Sequence, residues 1–406
     1  PPRSTLFPYT TLFRSIAVVL ASTLISTRLS AGSATRTTDA DDELLDRLVA
    51  GNDRSVEKLL GLTGGARPMP YYRYLSGSVA NLSAAYCHPK SAFFKSGQIL
   101  PVFEAAIKKL TALQYADGTL DSGGNRHSAP DTAFLLESLC SAAFILQEHD
   151  FAELADVKKQ LEQFLRKAGE GLRTGGVHTP NHRWVVCAML AKLYSLYKDQ
   201  KYLDRIEQWL AEGVYIDADG QYPERSRNYA VVENNSLITL GHLLQRPDLL
   251  DMARKNLQAT YYYMEDDGEL VTLDSRRQDQ YQPISITSFY RAYRYMAIHS
   301  NDGFLAAVAR KIETLANFTE SVVSRALPSF MERPLLAQKL PQATALPSAY
   351  NKHFSTSALV RIKNGDRSAS IYGGSDKPMV IASGRSCIPT FFTFRKASVE
   401  IGRAHD

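Results

Sequence analysis

Three stretches concentrate the polar chemistry of this 406-residue chain. GGVHTPNHRWVVCAML (175–190) places His178, Asn181, His182 and Arg183 at the mouth of an apolar helical run. GQYPERSRNYAVVENN (220–235) supplies Tyr222, Glu224, Arg225, Arg227, Asn228, Tyr229, Glu233 and Asn234. DSRRQDQYQ (274–282) adds Arg276, Arg277, Gln278 and Asp279. An amide and an imidazole in the first turn of a helix stand where free N–H groups and the helix dipole favour an anion. Donors of that kind can hold a carboxylate and stabilise charge that develops on it. His and Tyr can pass protons beside it, and cations near a phenol favour its phenolate. Each residue also has a plainer reading. Asn181 can cap a helix, Glu224 can pair with an arginine, and Arg276 and Arg277 can be a solvated loop. His178 and His182, four apart, could ligate a metal, but no third ligand stands out; no metal or cofactor is called for.

The elements that must position these groups are helices. From 40 to 325 the chain runs through successive amphipathic or apolar segments of helical period, among them PVFEAAIKKLTALQY, PDTAFLLESLCSAAFILQEH and NHRWVVCAMLAKLYSLYKD. Pro130, Pro180 and Pro247 stand at helix starts, where a missing N–H costs little. Glycine-bearing loops recur about every 50 residues, around Gly118, Gly175, Gly220 and Gly268, each ahead of a helix. One such period is one helical hairpin, so the loops should gather on one face. The strongly apolar helices that follow them suit the inner ring of a closed toroid rather than an open solenoid. Residues 326–349 are Pro-rich and read as a linker. From 350 to 399 an alternating pattern around Asn364-Gly365-Asp366 reads as a hairpin opening a β domain. The fold class expected is mainly α, an incomplete (α/α) toroid of helical hairpins followed by the start of an antiparallel β-sandwich.

Here the chain resembles the heparinase II/III-like polysaccharide lyases and the alginate-lyase group of the same architecture. The resemblance is carried by Asn181-His182 opening a helix, and by DGQYPERSRNYA, where an Asp-Gly turn precedes Glu224 and then Tyr229. It implies a toroid followed by a β-sandwich, and an enzyme that cleaves a uronic-acid-containing polysaccharide or oligosaccharide by β-elimination. It also implies Asn181 and His182 as carboxylate-binding and base positions and Tyr229 as the catalytic Tyr. Arg183, Tyr222, Glu224, Arg225, Arg227, Arg276, Arg277 and, from the β domain, His353 would bind substrate. One departure stands out: where the heparinase-type pattern can carry a Glu one turn after the His, this chain has Val185 and Val186.

Composition bounds the rest. The apolar fraction of 44% and charged fraction of 22% are those of a soluble globular protein. A scattered net charge of +5 argues against nucleic acid as partner. Four dispersed cysteines indicate neither a zinc site nor a disulfide scaffold. Residues 16–34 read as the end of a signal peptide, too short in its apolar run for stable membrane insertion; a periplasmic or secreted location is expected. Residues 1–15 and 400–406 resemble translated sequencing adapters, which would leave the β domain truncated. The oligomeric state is left open. Two other functions fit the same helices: a glycoside hydrolase, which needs two carboxylic acids across the bond and has Asp117, Asp131, Asp219, Glu224 and Asp279 available with no pair privileged, and a non-catalytic glycan-binding protein.

Overall fold

The computed structural model describes residues 40–63, 72–122, 125–374, 384, 390–397 and 399–405. The signal-peptide segment and Cys387 lie outside them. Helices α1 (Asp42–Thr63), α2 (Tyr72–Cys87), α3 (Leu100–Leu113), α4 (Ala129–Gln147), α5 (Ala155–Thr174), α6 (Pro180–Tyr197), α7 (Gln200–Ala211), α8 (Arg227–Leu243), α9 (Pro247–Tyr261), α10 (Tyr290–His299) and α11 (Gly303–Glu313) form two layers. The even-numbered helices pack on one another in order, α2 on α4 on α6 on α8 on α10, and the odd-numbered ones pack outside them. Burial explains the sorting. α5 and α7 are amphipathic and show one face to solvent, whereas α4 and the body of α6 are apolar on every side. α4 is long and apolar enough to cross a membrane, yet most of it is buried among its neighbours. Cys140 and Cys187 lie in this core, as their apolar surroundings suggest.

The segment read as a linker is not one at its start. α12 (Leu327–Glu332) and a short 3₁₀ turn (Pro334–Ala337) bury Leu327, Phe330 and Leu336, and α12 packs against α1, α2 and α4. Pro328 and Pro334 sit at helix starts, where they do not break structure. Residues 339–348 lack regular structure.

The glycine-bearing repeat is a recurring turn. Tyr115, Asp217 and Glu265 each donate their N–H to the carbonyl four residues on, at 2.8–2.9 Å, and accept from the glycine at 3.0–3.1 Å. Gly118, Gly220 and Gly268 all take φ of +84° to +87°. Two residues past each glycine, Leu120, Tyr222 and Leu270 are buried. The turns precede α4, α8 and α10; the Gly175 loop before α6 does not share their geometry. Two of them lie against outer helices: a Cβ on Gly118 would stand 1.9 Å from the Lys167 carbonyl, and one on Gly220 3.0 Å from the Lys255 carbonyl.

The β region is one antiparallel sheet in sequence order: β5 (Ala349–Phe354), β6 (Leu359–Asn364), β7 (Arg367–Tyr372), β8 (Thr390–Lys396) and β9 (Val399–His405). Pairs β1 (Leu120–Ser122) with β2 (Asn125–Ser128), and β3 (Glu269–Leu270) with β4 (Ile284–Ser285), trim the loops. The β6–β7 hairpin turns at Gly365 and Asp366, as the sequence indicates. β9 includes the tail read as adapter-derived and pairs with β8. Tyr350, Lys352 and Phe354 face the helices and meet Tyr262 and Tyr263.

Gly118→Ala should cost roughly 2–4 kcal/mol, from left-handed strain and the carbonyl clash together. Gly176→Ala, in open space, should stay within about 0.5 kcal/mol. Urea unfolding of the two variants checks this, and equal costs would refute the shared-turn account.

Candidate functional site

The three polar stretches meet through one buried carboxylate. Glu224, in the loop before α8, is fully buried. Its Oε1 pairs with Arg277 Nη1, from the loop before α10. Its Oε2 accepts from the backbone N–H of Asn181 at 3.1 Å and from Asn181 Nδ2 at 2.8 Å. The Glu224 carbonyl takes the N–H of Arg276 at 3.0 Å. The anion at the N-terminus of α6 is therefore the protein's own, and the dipole of that helix is spent on Glu224.

Tyr229 is held at the edge of this bracket. Ser226 caps α8 by accepting the N–H of Tyr229 at 3.1 Å. The Arg277 guanidinium lies 4.2 Å over the centre of the phenol ring, a cation–π contact that fixes the ring against the bracket. Gln278 Nε2 donates to that oxygen at 2.6 Å. Tyr229 is half-buried.

His182, one residue past Asn181, is also half-buried. Its ring meets His178 edge-on at 4.6 Å and Phe134 at 6.0 Å. Burial, helped by the neighbouring His178, pushes the imidazole down to about 4 against the opposing pull of Asp131. His182 is thus neutral at neutral pH and able to accept a proton. Asp131, in the first turn of α4, accepts from Ser128 Oγ (2.7 Å), Arg73 Nη2 (3.0 Å) and Asn125 Nδ2 (3.1 Å). Arg73 also stacks 5.3 Å over Phe134.

A hollow of about 1090 Å³ is reached from this cluster through Arg73; Tyr229, His182, Glu224 and Arg277 do not line it. Arg73 and, from α8, Val231 line it; Arg54, Lys58, Arg291 and Arg325 outnumber Glu137 and Glu320 on its wall and make it basic. A smaller chamber of about 150 Å³ near the ring axis shares Glu137, Val231, Arg291 and Ser329 with it. Among the described residues no cluster of His, Cys, Asp and Glu is placed to hold a metal ion.

Several expected roles are corrected by this geometry. Asn181 is fully buried with its amide donating to Glu224 and Thr179, so it braces the site and does not present itself to a ligand. Glu224 is the centre of the bracket, not a substrate contact. Arg227 is buried on Asp274 (2.9 Å), with Gln221 and the Tyr263 ring completing its surroundings. Tyr222 is buried and donates to Asn234 at 2.8 Å. Arg183 turns away to Glu212 (2.8 Å) and Trp209. Arg225 reaches the Thr356 carbonyl at 2.7 Å, and Arg276 the Pro223 carbonyl at 3.3 Å. His353 is exposed on the face of the sheet turned away from the helices. The expected residues that the structure brings together are Asn181, His182, Glu224, Tyr229 and Arg277. Sequence reasoning missed Arg73 and Phe134, and weighed Asp131 only as a hydrolase acid. The Asp-Gly turn ahead of α4, shared with α8 and α10, was the signal that α4 also presents its first turn to the site.

No known family matches the chain, and no curated protein matches it. Among solved structures it is similar to the chondroitin AC lyase of Streptomyces coelicolor A3 in complex with chondroitin sulphate. That match has 14% identity and a TM-score of 0.57, and covers 82% of this chain and 53% of that one. It is also similar to a Paenibacillus xanthan lyase at 11% identity and a TM-score of 0.58, covering 82% of this chain and 35% of that one. The chain thus spans about half the length of the first, and less of the second. At these identities the likeness establishes the fold: a mainly α toroid followed by an antiparallel β-sheet.

Proposed function

We propose that the protein is a polysaccharide lyase that cleaves a uronic-acid-containing glycan by β-elimination. The observation that carries this reading is the environment of Tyr229: a half-buried phenol under a guanidinium, with an amide N–H on its oxygen, bracketed to the helix that bears a neutral His182. In the reaction a base takes the C5 proton beside the sugar carboxylate. The electron pair forms the C4–C5 double bond as the C4–O bond breaks, and an acid protonates the departing oxygen. His182 is the proton acceptor in this scheme and Tyr229 the donor to the leaving oxygen. Arg73, exposed on the wall of the hollow beside Phe134, is the cation for the sugar carboxylate. The basic hollow suits an anionic polymer. Export, the reading of residues 16–34, goes with such a substrate. The hydrolase alternative gains nothing, because its candidate acids Asp117, Asp131, Asp219, Glu224 and Asp279 are all engaged by other groups.

Incubation with alginate, heparin, chondroitin, hyaluronan or plant and algal uronans should raise absorbance near about 235 nm, the mark of the unsaturated product. Tyr229→Phe should abolish that rise with folding intact; reducing sugar without absorbance would favour a hydrolase. Because His182 is held down to about 4, the acid limb of kcat/KM should fall near there and not near its ordinary value. A limb at about 6.5 would remove His182 as base. Glu224→Ala leaves Arg277 buried without its counter-charge and should destabilise by about 3–5 kcal/mol; a loss under about 1 kcal/mol in urea unfolding would show that the bracket is not the anchor of the site.

A further inference from the structure

Glu233 lies one helical turn beyond Tyr229 on α8 and is 1% exposed. Neither of its carboxyl oxygens has a hydrogen-bond partner. The other buried carboxylates around it are all engaged: Glu224 with Arg277 and Asn181, Asp274 with Arg227 and Tyr263, Asp279 with Ser226 and Ser275. The charged groups that act on Glu233 are Glu224 and Arg277, from the two loops. Tyr222 faces it as a neutral phenol. α6, α9 and α10 pack against α8 and bring no further charge to bear on it among the described residues. Arg277 is already matched by Glu224, so a second carboxylate here would be buried, unpaired and repelled by the first. Burial above all, then that repulsion, keeps the Glu233 proton on well above the usual carboxyl range.

We propose that Glu233 is a positioning residue that works as a neutral carboxylic acid: while it holds its proton, Arg277 stays on Glu224 and over Tyr229, and when it ionises, Arg277 is shared between two carboxylates and the bracket loosens. Its protonation state stands independently of the reaction; its effect on turnover rests on the β-elimination reading. A carboxyl whose proton is held more tightly in the folded than in the unfolded chain contributes stability at low pH that is lost as pH rises through the folded value.

Thermal unfolding of the wild type and Glu233→Gln across pH tests this. Below about pH 3.5 the two should converge, since Glu233 then carries the proton in most of the unfolded as well as the folded chain; by about pH 8 the variant should melt higher by about 2 °C or more. A variant that melts lower at every pH would make Glu233 an ionised structural partner and overturn the proposal. Infrared spectra should show a protonated-carboxyl band in the wild type at neutral pH that is missing from Glu233→Gln; its absence from the wild type also overturns it. Should Glu233→Gln not fold, the same band in Asp217→Asn decides, because Asp217 is the other buried acid nearby that burial pushes upward. On a uronate polymer that is turned over, the alkaline limb of kcat/KM should move to higher pH in Glu233→Gln. An unmoved limb ends the positioning role and leaves the lyase reading standing. Absence of turnover on every uronan ends the lyase reading, and the unfolding and infrared results still decide whether Glu233 keeps its proton.

Discussion

The Glu224–Arg277 ion pair organises the site because it is the point at which three loops are forced to agree. Both side chains are almost fully withdrawn from solvent. Withdrawing two charges is expensive, and attraction between them offsets that cost only with good geometry and further hydrogen bonds. Asn181 supplies those bonds from the first turn of α6, and Arg276 fixes the Glu224 backbone from the other side. A displaced loop would strand a buried charge, so the three loops have one low-energy arrangement. Tyr229 and His182 inherit their placement from it, one through the guanidinium over its ring and the other through its covalent neighbour Asn181.

A second bracket lies behind the first. Arg227 is wholly buried on Asp274, and Asp279 collects Ser226, Ser275 and the N–H of Asn228. These contacts join the same two loops at a deeper level, so the visible site rests on a polar foundation and not on apolar packing. The ring axis repeats the device: Lys192 and Glu332 pair at 2.8 Å with both side chains buried, and Arg291 reaches Glu137 and Ser329. Apolar side chains pack between the two helical layers, while the groups that face the hollow and the axis are held by ion pairs.

The division between what was and was not legible in the sequence follows from range. Helix spans, Pro-marked starts, the Asp-Gly turns and the Gly365 hairpin are local, and the period and turn residues reveal them. The partner of a charge is not local. Arg183 and Asn181 are two residues apart on a helix and so point in different directions; one faces the loops, the other faces α7 and Glu212. Nothing within the stretch says which. Arg225 and Arg227 alternate in the same way, one toward Thr356 and the other into the core. α12 was read as linker because Pro328 and the prolines after it look like breakers, yet Leu327 and Phe330 are buried where α12 packs against α1, α2 and α4, a fact that only the closed arrangement supplies.

The sheet is tied to the helical layers by the same logic. The Asp-Gly turn at 265–269 offers a run of acids, and the strands answer with bases: Arg361 on Glu265 at 2.8 Å, Lys363 on Asp266 at 2.5 Å and Arg395 on Glu269 at 3.2 Å. Arg361 is fully buried and also donates to Ser370 and to the Tyr262 carbonyl. Asp219, in the turn before α8, accepts the Thr356 N–H at 2.7 Å while Arg225 holds the Thr356 carbonyl. Two of the three repeated turns therefore carry a loop of the site on one side and a strand connection on the other. A shift of the sheet would be felt first by the loop that contains Glu224, because Arg225 adjoins it in the chain and takes left-handed φ of +47° to make its contact. Among the described residues the site's side chains come from helices and the loops before them, and the sheet region reaches the Glu224 loop through the Thr356 contacts of Asp219 and Arg225.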